Sequence, residues 1–306
     1  MKFRERCLVL AVGVVSLLVV AAGCGGGQDA LEEGGGGSGG FVVGSANFPE
    51  QLILGNMYAD VVEDQGIEVD RRLNLGTRDV VFPSLESGEI TLVPEYNGAL
   101  LSYLSKGESD VTSPEETTKL LKEELPEGLI ALEASEAQDK DALVVTQETA
   151  EKYDLENTSD LAPVADELIV GGPPEMSERP DGLPGLKRVY GIEFEEFKAL
   201  DAGGPLTTEA LENGDIDVGR FFSSQGLIDA RGWIVLEDDK ELSPAQNIIP
   251  IIRKQDSKGK IEDALNELSA TLTTEDLKKL NRRVEVDKED PEEVARDYLK
   301  QKGLLG

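Results

Sequence analysis

"FVVGSANFPEQLILGNMYADVVEDQGIEVDRRLNLGTRDVVFPSLESGEITLVPEY", residues 41 to 96, alternates short apolar runs with two segments in which apolar residues recur at helical spacing. Pro49 suits the first position of the first helix, and Ile53, Met57 and Val61 repeat on one of its faces. Strand, helix, strand, helix, strand at this spacing predicts βαβ units and a largely parallel sheet. Ligands of such sheets gather outside the carboxyl ends of the strands, so the loops there are the candidate site.

A second region with a weaker form of the same alternation begins near Asp141. Its apolar runs read DALVV, ELIVGG, GRFF and WIVLED, and NIIPIIR follows as a last strand. Two or three amphipathic helices are predicted to close the chain, in KIEDALNELSATL, TEDLKKLNRR and PEEVARDYLKQKGLL. Asp290 is the expected N-cap of the last helix, with Pro291 at its first position.

Two segments of the chain share one pattern. LESGEITLVPEY, residues 85–96, and LENGDIDVGRFF, residues 211–222, both have the frame Leu-Glu-small-Gly-acid-Ile. Glycine is the expected residue where a helix ends in the left-handed conformation. A common helix-glycine-strand turn would explain the match, but we favour two similar lobes that each send one strand end toward a shared cleft. Tyr96 would then face Arg220 and Phe221 across that cleft.

The N-terminus has the pattern of a bacterial lipoprotein leader. Three basic residues precede an apolar run that is shorter than the ~20 residues of a membrane span. The run ends in AAGC, small residues directly before Cys24. We therefore predict a signal peptide over residues 1–23 and a lipidated Cys24, followed by a flexible Gly-rich tether to residue 40. The alternatives are an uncleaved anchor or a chance cysteine.

Composition excludes several classes of function. The 306-residue chain has no histidine and two cysteines, Cys7 in the leader and Cys24, so the body cannot supply a Cys nucleophile, a His base, a disulfide framework or the usual zinc ligands. The net charge is -31, which argues against a nucleic-acid partner because phosphate binding needs clustered Lys and Arg. The acidity fits a salty habitat or general solubility equally well.

The quoted segments, together with DALVVTQETAEKY and DGLPGLKRVYGIEFEEFKALDAGGPLT, resemble the OpuAC-type substrate-binding proteins of osmoprotectant ABC transporters, in the family's order. The resemblance implies an α/β, two-lobed periplasmic-binding-protein fold (type II-like) that closes on its ligand. Two strands would cross between the lobes, near residues 138–143 and 243–247. We expect the first lobe in residues 41–138 and 246–306 and the second in residues 139–245.

The resemblance also implies a ligand site built from several aromatic rings, of which this chain matches one. Tyr96 matches a tyrosine that lines the family's pocket, and a quaternary ammonium ion is held against such faces because it cannot donate hydrogen bonds. Gln51 matches a polar residue near the ligand's other end. Asn47, Thr77 and Asn97 are the other first-lobe candidates.

Positions where other family tyrosines align carry Asp141, Thr208 and Gln246 in this chain. Tyr190, Phe221, Phe48 and Phe222 could supply replacement rings or belong to the core, and Asp139 and Asp141 could balance a cation by charge. A guanidinium would suit a ligand carboxylate. Arg220 is the better candidate for that role, because Arg78 can pair with acids of its own helix. The predicted ligand-binding residues are Asn47, Gln51, Thr77, Tyr96, Asn97, Asp139, Asp141, Tyr190, Arg220, Phe221 and Gln246.

The predicted function is capture of a small cationic or zwitterionic osmoprotectant and its delivery to an ABC permease and ATPase. The protein would be an extracytoplasmic, membrane-anchored monomer without cofactor, metal or enzymatic activity. Three alternatives stay open: a non-quaternary solute such as an amino acid, a tethered sensor, or an enzyme working through Asp, Glu, Lys, Tyr or Ser. The acids of LEDDKE, residues 236–241, could bind a metal, although such runs are usually solvated turns.

Overall fold

The computed structural model describes residues 40–107, 109 and 111–306. The predicted signal peptide, Cys24 and the tether as far as residue 39 lie outside the described residues. Within the described part of the chain, every helix is too short or too polar to cross a membrane.

The first lobe contains a five-stranded sheet in the order β2-β1-β3-β10-β4. Its strands are β1 (Phe41–Gly44), β2 (Val69–Arg72), β3 (Leu92–Tyr96), β4 (Leu129–Ala131) and β10 (Ile248–Arg253). The predicted parallel arrangement holds for β1 with β2 and β3. β10 runs antiparallel between β3 and β4, and with it the chain returns to this sheet from the second lobe.

The second lobe repeats this plan in the order β7-β6-β8-β5-β9. Its strands are β5 (Asp141–Val145), β6 (Ile169–Gly172), β7 (Glu196–Ala199), β8 (Val218–Phe222) and β9 (Ile234–Val235). β6 pairs in parallel with β7 and β8, whereas β5 is antiparallel to β8 and β9. β3 and β8, the strands of the repeated pattern, therefore hold equivalent places in the two sheets.

Helices cover both sheets. They are α1 (Pro49–Asp64), α2 (Arg78–Ser87), α3 (Asn97–Leu104), α4 (Pro114–Glu124), α5 (Gln147–Tyr153), α6 (Leu183–Gly185), α7 (Pro205–Asn213), α8 (Gly226–Arg231), α9 (Gly259–Thr271), α10 (Thr274–Glu285) and α11 (Pro291–Lys302). A π-helical turn, Leu186–Tyr190, continues α6. Short 3-10 turns cover Thr158–Leu161, Ala165–Glu167 and Pro174–Ser177.

Local chemistry explains where several helices begin and end. The Asp290 side chain accepts hydrogen bonds from the backbone of Glu292 and Glu293, as expected of an N-cap. Gly88 and Gly214 end α2 and α7 with φ of 83° and 72°, which confirms the left-handed termini predicted from the repeated pattern. The turn after each helix leads directly into the central strand of its lobe.

The C-terminal helices belong to the core of the first lobe. Leu265 of α9, Leu277 of α10 and Leu299 of α11 are buried in one cluster with Ile53 and Met57 of α1. The chain passes between the sheets twice, before β5 and before β10. These are the two crossings that the resemblance predicts, and an isolated bridge between Gln138 and Asn247 joins them.

Candidate functional site

A cavity of about 470 Å³ lies between the two lobes. Its wall combines the start of α1, the ends of β3 and β8, both crossings and one face of α10. The lining residues are Phe48, Pro49, Glu50, Arg78, Tyr96, Ala99, Asp139, Asp141, Phe222, Ser224, Gln225, Gln246, Asn281 and Glu285. It therefore lies beyond the carboxyl ends of parallel strands, where α/β proteins bind their ligands.

Three aromatic rings border the cavity. Tyr96 ends β3, and its ring stacks with that of Phe48 at a centroid distance of 6.3 Å and an interplanar angle of 20°. Phe222 ends β8 on the opposite lobe. Phe48 and Phe222 are 39% and 38% exposed, whereas Tyr96 is 7% exposed. These rings offer a cation π-faces from both lobes.

Glu50, which the sequence analysis does not single out, is at the centre of the polar contacts. The hydroxyl of Tyr96 donates to Glu50 Oε1 at 2.6 Å. Glu50 Oε2 accepts from Ser224 Oγ of the second lobe and from Asn281 Nδ2 of α10, each at 2.6 Å. Burial raises the pKa of the Glu50 carboxyl, although these three hydrogen bonds oppose the shift. One carboxyl thus joins the aromatic wall, α10 and the second lobe.

Two further acids receive donors from the turn between β8 and α8. Asp139 Oδ1 accepts from the backbone of Ser224 at 3.2 Å, and Glu285 Oε2 accepts from the backbone of Gly226 at 3.1 Å. Burial and then the charge of Glu50 raise the pKa of Asp139 well above its usual range. Burial also raises the pKa of Glu285 to about 7. The cavity wall is therefore acidic and partly dehydrated.

Asp141 and Arg220 form an ion pair across β5 and β8, with Arg179 3.9 Å from the same carboxylate. Burial raises the pKa of Asp141, while the two guanidinium groups act in the opposite direction. The Arg220 side chain is 5% exposed and lines a second cavity of about 270 Å³ inside the second lobe. This corrects the prediction that Arg220 faces the cleft, because Asp141 lies between its guanidinium and the interlobe cavity.

Arg78 is also paired within the chain. Its Nε and Nη2 donate to the two carboxylate oxygens of Glu95 at 2.9 and 2.8 Å, a bidentate arrangement with an acid that is nearly buried. Both arginines considered for a ligand carboxylate thus hold a carboxylate of the protein.

A small cavity of about 170 Å³ adjoins the interlobe cavity, and the two share Phe48, Arg78 and Tyr96. Asn47, Gln51 and Thr77 line it, so three of the predicted residues meet in one place. Gln51 Oε1 also accepts a hydrogen bond from the backbone of Ala46 at 3.3 Å. These side chains are neutral donors and acceptors beside the aromatic wall.

Of the predicted residues not yet placed, Gln246 lines the interlobe cavity, whereas Asn97, Tyr190 and Phe221 lie elsewhere. Gln246 lines the interlobe cavity while its Oε1 accepts from the backbone of Ala99 at 2.9 Å. Asn97 is fully buried, and its Oδ1 accepts a hydrogen bond from the backbone of Asn247 at 2.8 Å. This hydrogen bond links the second crossing to the end of β3. Thr208, where a family tyrosine would align, lies in α7 away from the cavity.

Tyr190 and Phe221 lie in the core of the second lobe, which corrects their predicted place in the cleft. Tyr190 is buried, and its hydroxyl donates to Asp238 at 2.5 Å. Phe221 is 1% exposed and packs edge-to-face on Trp233 at 5.5 Å. Successive side chains of a strand point to opposite faces, so Phe222 is the ring of this pair that reaches the cavity.

The sequence contained a usable indication of that choice. In the repeated pattern, LESGEITLVPEY and LENGDIDVGRFF align Tyr96 with Phe222 and Glu95 with Phe221. Asn281 and Glu285 are four residues apart on α10 and therefore share a helix face, but nothing local shows what that face meets. No group of three acids, cysteines or histidines in residues 40–107, 109 and 111–306 is arranged to hold a metal ion.

Comparison with known proteins gives consistent matches. Residues 41–301 match the OpuAC family, described as the substrate binding domain of ABC-type glycine betaine transport systems. The chain is 28% identical to the glycine-betaine-binding protein of Pseudomonas aeruginosa over 86% of its length and 88% of that protein. It is 30% identical to the glycine betaine-binding protein YehZ of Escherichia coli, over 85% of this chain and 90% of the relative. A crystal structure described as a glycine betaine/carnitine/choline ABC transporter superposes with a TM-score of 0.81 at 25% identity, covering 86% of this chain and 99% of that one.

Proposed function

The chain belongs to the OpuAC family of substrate-binding domains of ABC-type glycine betaine transport systems, and we propose that its interlobe cavity binds a small osmoprotectant of the glycine betaine, choline and carnitine class. The observation that carries this proposal is the set of three rings, Tyr96, Phe48 and Phe222, which border one cavity from both lobes. A methylated ammonium group has no proton to donate, so aromatic faces and nearby carboxylates are the groups that stabilise it outside water.

Binding would draw the two lobes together around the ligand. Contacts of Glu50 and Asn281 with Ser224 already join the lobes beside the cavity. A ligand that contacts both lobes binds the closed state more tightly than the open state. Binding therefore shifts the equilibrium toward the closed state by that difference in affinity. A permease can then distinguish the loaded protein from the empty one by the distance between the lobes.

We further propose that the protein is an extracytoplasmic lipoprotein anchored through Cys24, that it works as a monomer with a permease and an ATPase, and that it catalyses no reaction. The small residues before Cys24 and the Gly-rich segment after it support the anchor. Replacement of Cys24 by Ser should move the protein from the detergent phase to the aqueous phase in cloud-point partition. Unchanged partition would contradict lipidation, and light scattering of the purified protein would test the monomer.

The binding proposal is tested by calorimetric titration of the purified protein with glycine betaine, choline, carnitine and a panel of amino acids. Tyr96→Ala should weaken binding of a methylated ammonium by roughly tenfold or more, in line with about 0.5–2 kcal/mol for a cation-π contact plus lost packing. Tyr103→Ala is the matched control, because this ring lies on α3 against Phe82, outside the cavity. Binding of an amino acid alone would keep the receptor role and overturn the ligand class.

A further inference from the structure

Four carboxyl groups line the interlobe cavity, contributed by Glu50, Asp139, Asp141 and Glu285. They come from four separate parts of the chain, namely α1, the first crossing, β5 and α10. Among the described residues of the wall, the one basic side chain is Arg78, which forms a bidentate ion pair with Glu95. The described part of the wall is therefore rich in carboxyl groups and has no guanidinium that is free of a carboxylate partner.

Arg220 is the other arginine predicted to serve a ligand carboxylate. Asp141 pairs with it from the cavity side, in the position that a ligand carboxylate would need. A carboxylate that leaves water must be paired or receive several hydrogen bonds, and removing one partner of a buried ion pair is costly. Pairing the carboxylate of a zwitterion with Arg220 would thus require displacement of Asp141.

A ligand hydroxyl makes no such demand. The neighbouring 170 Å³ cavity offers the neutral side chains of Asn47, Gln51 and Thr77 within the same aromatic wall. One or two hydrogen bonds satisfy a hydroxyl, and it brings no charge toward the acids of the wall.

We propose that the cavity selects ligands with a net positive charge and no carboxylate, such as choline, over zwitterionic betaines, and that Asp141 sets this preference by occupying Arg220. The inference rests on the proposed function, since it concerns the same cavity. A metal ion is not the favoured cation, because the acids of the described cavity wall do not form a metal-holding group.

The test compares choline with glycine betaine, which share the trimethylammonium group and differ in having a hydroxymethyl group or a carboxylate. The unsubstituted protein should bind choline at least about tenfold more tightly than the betaine, the size expected for one uncompensated charge at a few ångströms in a partly dehydrated site. Asp141→Asn removes one negative charge and releases Arg220. The substitution should weaken binding of choline by about tenfold and strengthen binding of the betaine. The ratio of the two affinities should therefore become smaller or invert.

Two further variants test whether the changes in affinity come from charge in the cavity and not from a change in folding. At about pH 8, above the pKa of Glu285, Glu285→Gln retains a side-chain acceptor for the backbone of Gly226 while removing a charge, so binding of choline should weaken several-fold and binding of the betaine should not. Glu196→Gln makes the same change on the exposed face of β7, outside the cavity, and should alter neither affinity. Thermal unfolding of each variant verifies that it folds.

The outcomes separate the two claims. If glycine betaine binds as tightly as choline in the unsubstituted protein, or if Asp141→Asn changes both affinities in the same direction, the charge selection is overturned while the osmoprotectant function stands. If neither compound binds and another solute does, the proposed function itself fails, and the inference fails with it.

Discussion

Adjacent residues of β8 show how a single position divides core from site. Phe221 is buried against Trp233 and Phe222 is exposed at the cavity. Composition and local propensity treat the two phenylalanines alike, and alternation shows only that they face opposite ways. Which of them faces the cavity depends on the packing of the second sheet. From the sequence, the choice of Phe222 is indicated only by its alignment with Tyr96 in the repeated pattern.

This pair makes a matched experiment at the residue scale. Phe221→Ala removes a ring from a closed core and should lower the free energy of unfolding by about 3–5 kcal/mol. Phe222→Ala should leave stability within about 1 kcal/mol and weaken binding of a methylated ammonium several-fold. Denaturant unfolding and calorimetric titration of both variants measure the two effects. A loss of affinity in Phe221→Ala without loss of stability would mean that the rings are assigned to the wrong sides.

Ser224 makes one contact from the second lobe to the buried Glu50 carboxyl, at 2.6 Å. Ser224→Ala leaves that carboxylate with fewer donors and should cost about 1–2 kcal/mol of closure, or roughly five- to thirtyfold in affinity. Because the contact forms when the lobes meet, the change should appear as faster ligand dissociation in stopped-flow measurements. Ser177→Ala, in the exposed turn after β6, is the control. Slower association with unchanged dissociation would contradict a role in holding the lobes together.

At the element scale, the strength of the sequence pattern decides what can be predicted. Helix α1 begins at Pro49 and β5 spans the segment DALVV, both as predicted, because long amphipathic or strongly apolar runs fix their own structure. β4 and β7, with three and four residues, carry no comparable pattern and form only because a neighbouring strand pairs with them. The meeting of α8 with α10 is a tertiary event between segments far apart in sequence, so Asn281 and Glu285 escape sequence reasoning.

The α8-α10 contact gives a prediction for whole elements. Gly226 begins α8, and a methyl group there would lie 2.0 Å from the backbone nitrogen of Arg282 in α10. Gly226→Ala should hold the lobes apart, weakening ligand binding at least about tenfold while each lobe keeps its own core. Small-angle scattering should show a larger radius of gyration that ligand no longer reduces. Gly259→Ala, at the start of α9 with no atom within 4 Å of the added carbon, should change neither property. Normal compaction of Gly226→Ala would show that this contact does not limit closure.

At the scale of the whole molecule, charge acts on two levels. The net charge is -31, so like charges on the surface repel one another. Salt screens this repulsion between charges that are farther apart than the Debye length, about 8–10 Å near physiological ionic strength. The acids of the cavity are shielded from solvent ions, so salt relieves their repulsion much less. Raising the salt concentration therefore separates the surface contribution to stability from that of the site.

The pH dependence of stability follows from the same division. Glu285, whose neighbours are the Gly226 amide, Glu50 and Lys288, has a pKa of about 7 in the folded protein against an ordinary value of 4.5. Between these pH values the folded protein keeps a proton that the unfolded chain has released, so the free energy of unfolding falls as pH rises from 4.5 to 7. Burial alone would raise the pKa of Asp201 and Asp276, but hydrogen bonds to their carboxylates outweigh it and lower the pKa of both. These two groups act in the opposite direction and remove stability as pH falls below about 4. Stability should therefore be greatest in mildly acidic solution.

Denaturant unfolding from pH 4 to pH 8, at low salt and at about 1 M salt, tests this account. High salt should reduce the decline above pH 4.5 but not abolish it, because the cavity acids remain. Glu285→Gln should remove on the order of 1–2 kcal/mol of that decline, allowing for the partial exposure of this carboxyl, whereas Glu196→Gln should remove none. Saturating choline should also flatten the profile, since a bound cation favours the ionised form of the acids around it. A decline that salt abolishes completely, and that Glu285→Gln leaves unchanged, would place the pH dependence on the surface and would remove the cavity acids from this account of stability.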